Sequence, residues 1–350
     1  MMSLRSILGA FVGAGLLSAC GGSALSSSTP AADGPPVTTQ MRAASPRTHR
    51  PDTGANLYVV NYDTNTVTVY APGGESPQRT ISNRLNSPYK LAFDASGNLY
   101  VGNLFGYDAN GNVRVYARGK GLLLRTIHQG VSDPGPLAFD ASGDLYVGNQ
   151  SANNVTVYAP GEDSVLRTIP NTIDPVALAF DGSGNLYVAN YIGQKVTVYA
   201  PGSTSVLRTI TEGISDPVAL AFDASGNLYV ANGYNSTVTV YAPGSTSVLR
   251  TISQGISSPQ ALSFDGKGHL YVGNFGTNAV TVYPPNSQNV LRKVSQGVND
   301  PIALAFDSSE YLYVANLIGH TVTVYTPGGR SLLRTISEGI SYPIFLAFGP

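Results

Sequence analysis

A chain of 350 residues with 39 glycines, 23 prolines, one cysteine and no tryptophan is long enough for a sizeable core. It cannot close an intrachain disulfide and has too many breakers for long helices. The formal net charge is −1 with 12% charged residues, which lacks the basic footprint of a nucleic-acid binder, so no nucleic-acid partner is expected. Order must come from short extended segments punctuated by turns.

At the N-terminus, Arg5 and the apolar run from Ile7 to Leu17 read as an export signal too short to span a bilayer permanently. Leu17-Ser18-Ala19-Cys20 then resembles the lipobox of bacterial lipoproteins. The resemblance implies that residues 1–19 are a signal peptide cleaved before Cys20, and that lipid on Cys20 anchors the exported protein to the cell envelope. Gly21 stands where an Asp would, by the enterobacterial sorting rule, hold a lipoprotein in the inner membrane, so the outer membrane is implied where the organism has one. Residues 20–54 are rich in Ser, Thr, Pro, Ala and Gly without hydrophobic periodicity, and read as a disordered tether.

From there to the end, residues 55–350, one phrase recurs seven times. Leu57, Leu99, Leu145, Leu186, Leu228, Leu270 and Leu312 each open Leu-Tyr-Val, at spacings of 42, 46, 41, 42, 42 and 42 residues. One unit, residues 217–258, reads as four strands: Pro217 to Phe222, Leu228 to Asn232, Thr237 to Tyr241 and Val248 to Ile252, separated by turn residues such as Asp223-Ala-Ser-Gly-Asn227 and Pro243-Gly244. Four strands per unit of about 42 residues predict an all-β fold, a β-propeller of seven four-stranded blades. In the first strand, alternation places Val218, Leu220 and Phe222 on one face and Ala219 and Ala221 on the other. The seven copies of that phenylalanine are expected to form a core ring, and the 14 tyrosines of the Leu-Tyr-Val and Val-Tyr strands to lie in the core.

The two ends of the repeat are out of phase. It starts on a second-type strand at Asn56 and ends on a first-type strand, Pro343 to Phe348, so the C-terminal strand is expected to complete the N-terminal blade and close the ring. The unit Pro-x-x-Leu-Ala-Phe-Asp-x-x-Gly-Asn-Leu-Tyr-Val-Ala-Asn followed by Val-Thr-Val-Tyr resembles the NHL-repeat propellers over about residues 56–350. One departure is consistent: the second strand ends in Asn in all seven units (Asn61, Asn103, Asn149, Asn190, Asn232, Asn274, Asn316), where the family pattern usually has Asp.

The resemblance also implies that the loops before the first strand and after the second share the binding face. A catalytic centre needs different groups converging on one atom, so departures from the repeat carry the functional information. Before the first strand stand Asp133, Asp174, Asp216 and Asp300, a candidate site for a divalent cation or polar ligand, with an Asp turn before proline as the structural alternative. After the second strand stand Tyr62, Tyr191, Tyr234 and Phe275, with Phe105 and Tyr107 in one longer loop, as a candidate aromatic binding surface. His128, His320, Glu212 and Glu338 are the weaker catalytic or metal candidates on that face; no catalytic residue and no cofactor is assigned. His269 replaces the Asn of a turn, and Asp108-Ala-Asn-Gly-Asn112 is spelled almost like those turns and reads as a hairpin rather than a calcium loop. The expected role is a monomeric, non-catalytic binding or scaffolding module for a protein, peptide or glycan. A metal-dependent lactonase or lyase with its site at the channel mouth, which the NHL fold resembles, and an envelope structural protein are the alternatives.

Overall fold

The computed structural model describes residues 54–104 and 111–350. The signal, Cys20, nearly all of the tether, and Phe105 and Tyr107 lie outside the described residues. Among the described residues no helix is long and apolar enough to cross a membrane.

The expected seven blades are present, each a four-stranded antiparallel sheet. Blades 2 to 7 begin with the inner strands Pro88–Phe93, Pro134–Phe139, Pro175–Phe180, Pro217–Phe222, Pro259–Phe264 and Pro301–Phe306 and run outward in chain order. Blade 1 is built from both ends of the repeat: Pro343–Gly349 is its inner strand, followed outward by Asn56–Asn61, Thr66–Tyr70 and Arg79–Ile81. Leu57 pairs with Phe348 and Val59 with Leu346, and the Tyr58 hydroxyl donates to the Pro350 carbonyl at 2.7 Å. Closure removes the two open inner edges that a linear array of blades would leave.

One expectation about the inner strand is corrected. In all seven blades the pairing slips by one residue at its start: Pro217 faces Asn232, but Ala219, not Val218, faces Ala231. Such a bulge adds an unpaired residue and turns its side chain. Val218 therefore joins Ala219 and Ala221 against blade 6, while Leu220 and Phe222 pack against blade 4. The rule that large meets small survives, because Leu220 lies among Ala177 and Ala179 of the preceding blade.

The seven phenylalanines are half-buried rather than buried, since the inner strand ends at the lower mouth. Each meets edge-on the Leu-Tyr-Val tyrosine of the preceding blade, with ring centroids 4.9–5.1 Å apart from Tyr58–Phe93 round to Tyr313–Phe348. In five blades the fourth-strand arginine (Arg125, Arg167, Arg208, Arg250 or Arg334) donates to the hydroxyl of that tyrosine at 2.5–3.0 Å, its guanidinium carbon 5.5–5.9 Å from the ring centre.

The seven asparagines that end the second strands are explained by their surroundings. All are fully buried at the upper end of the second strand. Each Oδ1 accepts a backbone N–H from the loop entering the same blade, at 2.8–3.1 Å. In six blades Nδ2 donates to a third-strand threonine (Thr68, Thr156, Thr197, Thr239, Thr281 or Thr323) at 2.8–3.0 Å. In those blades it also reaches a backbone carbonyl or a second hydroxyl, such as the carbonyl of Val230 for Asn232. The position needs an acceptor and a donor on one short side chain. An aspartate would set a buried carboxylate against a carbonyl oxygen.

Candidate functional site

The upper face carries the loops that enter each inner strand and those that leave each second strand. The residue before the inner-strand proline (Ser87, Asp133, Asp174, Asp216, Ser258, Asp300, Tyr342) is left-handed in all seven blades, with φ between 44° and 53°. In six blades its N–H donates to a side chain from the upper loop of the preceding blade: Asn65, Asn153, Gln194, Ser236, Asn278 or His320, at 2.6–3.2 Å. The seventh loop has Gly111 there, at φ 80°, where a Cβ would stand 2.6 Å from Pro134 and 2.8 Å from the Asn103 carbonyl.

This stitching places the candidates. His320 is the acceptor for Tyr342: its Nδ1 takes the Tyr342 N–H at 3.2 Å, and the two rings meet edge-on at 4.3 Å. That nitrogen is therefore engaged in holding blade 7 to blade 1. The backbone carbonyls of Glu212 and Glu338 accept the hydroxyls of Tyr241 and Tyr70, while the residues themselves are exposed, as is His128. These four do not converge, and among the described residues no three His, Cys, Asp or Glu side chains come together to hold a metal ion.

The four aspartates are half-buried and bond to neighbouring loops. Asp133 accepts from the Ser151 hydroxyl, Asp216 from the Gln194 amide, and Asp174 from Gln150. Burial pushes Asp174 up to about 6, against the opposing hydrogen bond from Gln150, and burial also raises Asp300. Tyr191 is brought between two of them: its hydroxyl is pushed up to about 12 by burial, then by the charge of Asp216 and its hydrogen bond, then by the charge of Asp174. Tyr62 and Phe275 are half-buried and pack against the core, whereas Tyr234 is 82% exposed. Ile192, at the same repeat position one blade earlier, is 68% exposed, and Ile173 lies beside its neighbour Gly193. The same position reads Asp63, Ser151 and Gly276 in blades 1, 3 and 6.

A further group lies away from the loops, on the inner strands. Six blades carry Ala, Pro or Phe at the third inner-strand position; blade 2 carries Lys90, preceded by Tyr89. Lys90 is 3% exposed, with its Nζ 4.7 Å from the centre of the Phe345 ring and 5.4 Å from that of Tyr89. Neither Lys90 Nζ nor the Tyr89 hydroxyl has a hydrogen-bond partner, and the same holds for Oε1 of the buried Gln260 in blade 6. Burial lowers Lys90 to about 7. Burial raises Tyr89, and the charges of Asp174 and Tyr62 add to it. The signal was in the sequence: Tyr89-Lys90, Gln260 and Phe345 all break a Val-Ala or Ile-Ala pattern.

No family model and no curated protein matches the chain. Solved structures do. A protein from Lactobacillus plantarum superposes with a TM-score of 0.73 at 18% identity, over 85% of this chain and 99% of that one. A protein from Desulfotomaculum acetoxidans, described as functionally unknown, gives 0.70 at 16%, over 84% and 98%. At such identities the likeness shows the seven-bladed propeller fold alone.

Proposed function

We propose that this NHL-like propeller is a non-catalytic binding module of the cell envelope, held there by lipid on Cys20, that docks a protein, peptide or glycan through the upper loops of blades 4 and 5. The observation that carries the reading is the group Ile173, Ile192 and Tyr234: large apolar side chains left exposed on adjacent blades, in loops pinned by hydrogen bonds. Exposed apolar surface on a rigid frame binds with little ordering cost. Asp174 and Asp216 flank it and favour a partner with basic groups nearby.

The test is capture from solubilised envelopes by the wild type and by the Ile192→Ser/Tyr234→Ser double variant. A partner retained by the first and lost by the second, at equal melting temperature, supports the reading; identical capture sinks it. Cys20→Ser should move the protein from the membrane fraction to the soluble one. The cation expectation is checked by melting curves in EDTA and then in Ca²⁺, Mg²⁺ or Zn²⁺, where a ligand at ~100 times its dissociation constant adds ~2.7 kcal/mol.

A further inference from the structure

The lower face has a cleft of about 400 Å³ between blades 6 and 7, at a place where the repeat departs from itself. In blades 2, 4 and 5 the turn after the inner strand pairs an aspartate with the asparagine four residues on: Asn98, Asn185 and Asn227 donate from Nδ2 to Asp94, Asp181 and Asp223 at 2.8 Å. In blade 6 the asparagine is replaced by His269, whose Nδ1 lies 2.8 Å from Oδ2 of the buried Asp265. Asp265 also accepts the N–H of Lys267 at 3.0 Å, that of His269 at 2.9 Å and the Tyr271 hydroxyl at 3.3 Å, so it stays an acceptor and Nδ1 must carry the proton. A turn-forming pair has become an aspartate–histidine pair, with Nε2 the nitrogen that Asp265 does not engage.

Two further departures open this place. In five blades the fourth-strand arginine donates to the second-strand tyrosine hydroxyl, but Arg292, as Arg79 does to Gly119 of blade 2, donates instead to a glycine carbonyl of the next blade, that of Gly328. In blade 7, Glu310 occupies at φ 66° the turn position filled elsewhere by Gly97, Gly143, Gly184, Gly226 and Gly268, and its Oε2 accepts the Gly266 N–H at 2.7 Å. A non-glycine residue held there costs conformational energy that the turn itself does not require. The charged side chains on the cleft wall are then Lys267, Arg292 and Arg330 against Asp265, tied to His269, and Glu310, tied to a backbone N–H.

We propose that this cleft binds a small phosphoryl-bearing ligand between Arg292, Arg330 and Lys267, and that His269 Nε2 takes up a proton as the anion enters. No covalent bond of the ligand is made or broken: a buffer acid or hydronium gives its proton to Nε2, and the new N–H donates a hydrogen bond to a phosphoryl oxygen. A dianion suits three cations and a chargeable imidazole better than a monoanion does.

The experiment is calorimetric titration of the full-length chain with inorganic phosphate at pH 8, where phosphate is already mostly the dianion and releases little proton on binding, in two buffers of different ionisation enthalpy, with acetate as the comparison anion. Saturable phosphate binding with proton uptake, and acetate at least tenfold weaker, is expected. His269→Asn restores the repeat's own residue and so keeps the turn; it should abolish the proton uptake. Arg330→Ala, at an exposed position, should weaken binding at least tenfold at unchanged melting temperature. Absence of saturation by 50 mM phosphate, acetate binding as tightly as phosphate, or proton uptake unchanged in His269→Asn would each overturn the proposal.

Discussion

Blades 5 and 2 share one backbone plan and differ in what they bury. Both have four antiparallel strands, the same slip at the start of the inner strand and a fully buried asparagine at the end of the second. In blade 5, Val218 and Ala219 fill the inner strand, and Asn232 satisfies Thr237, Thr239 and the Val230 carbonyl. In blade 2 those inner positions are Tyr89 and Lys90, and the third strand offers Asn112 and Arg114 instead of two threonines. Asn103 still donates to Asn112 at 3.0 Å, but Lys90 Nζ, the Tyr89 hydroxyl and Asn112 Nδ2 have no partner. The frame is thus set by the residues that repeat, and tolerates costly polar groups where the chain departs from them.

Exchanging the two contents tests this with the largest effects. Ala219→Lys places an unpartnered ammonium at a site fully buried in blade 5, and should lower the melting temperature by ten degrees or more or leave no folded protein. Lys90→Met should do the reverse. Lys90 sits near 7 when folded against 10.5 when exposed, so between those values the unfolded chain binds more protons. Wild-type stability therefore rises with pH above about 7 and is insensitive to this group below it. Lys90→Met should gain on the order of 4 kcal/mol at and below pH 7, a gain that shrinks toward pH 10. Denaturant midpoints from pH 6 to 9.5 measure both, and a Lys90→Met variant no more stable than wild type would contradict the unpartnered amine.

Smaller changes probe the shared frame. Asn232→Asp should cost roughly 2–4 kcal/mol at pH 7, read from urea unfolding, because a buried carboxylate replaces the donor to Thr239 and Val230. Asp174 is raised when folded, so the folded state holds its proton longer than the unfolded one, and stability falls as pH rises from about 4 to 6. Asp174→Asn should flatten that part of the stability profile. At the smallest scale, His320→Asn should be nearly neutral, since Asn65, Asn153 and Asn278 perform the same task, whereas His320→Ala should cost about 1 kcal/mol in thermal unfolding.

The architecture was legible because it is repeated: blade number, strand order and the closure of Pro343–Gly349 onto Asn56–Asn61 follow from the spacing of Leu-Tyr-Val and the phase of the two ends. The bulge was not, since strict alternation puts Val218 with Leu220, and only the pairing register moves it beside Ala219. The reason for seven asparagines needed their threonine partners in space. The loop aspartates, tyrosines and His320 were found as departures from the repeat, but loop sequence does not reveal that one nitrogen of His320 is already engaged with Tyr342. Lys90 lies outside the loops altogether, although an inner-strand lysine among alanines is the plainer anomaly.

Blade 1 also determines how the domain carries load. The strand nearest the N-terminal segment, Asn56–Asn61, lies between Pro343–Gly349 on one side and Thr66–Tyr70 on the other, antiparallel to both. A pull arriving through the segment that precedes it runs along the strand and strains both ladders in shear, many hydrogen bonds at once, instead of peeling an outer strand bond by bond. A domain tethered from that end would resist traction at its attachment point better than the same blades joined in a linear row.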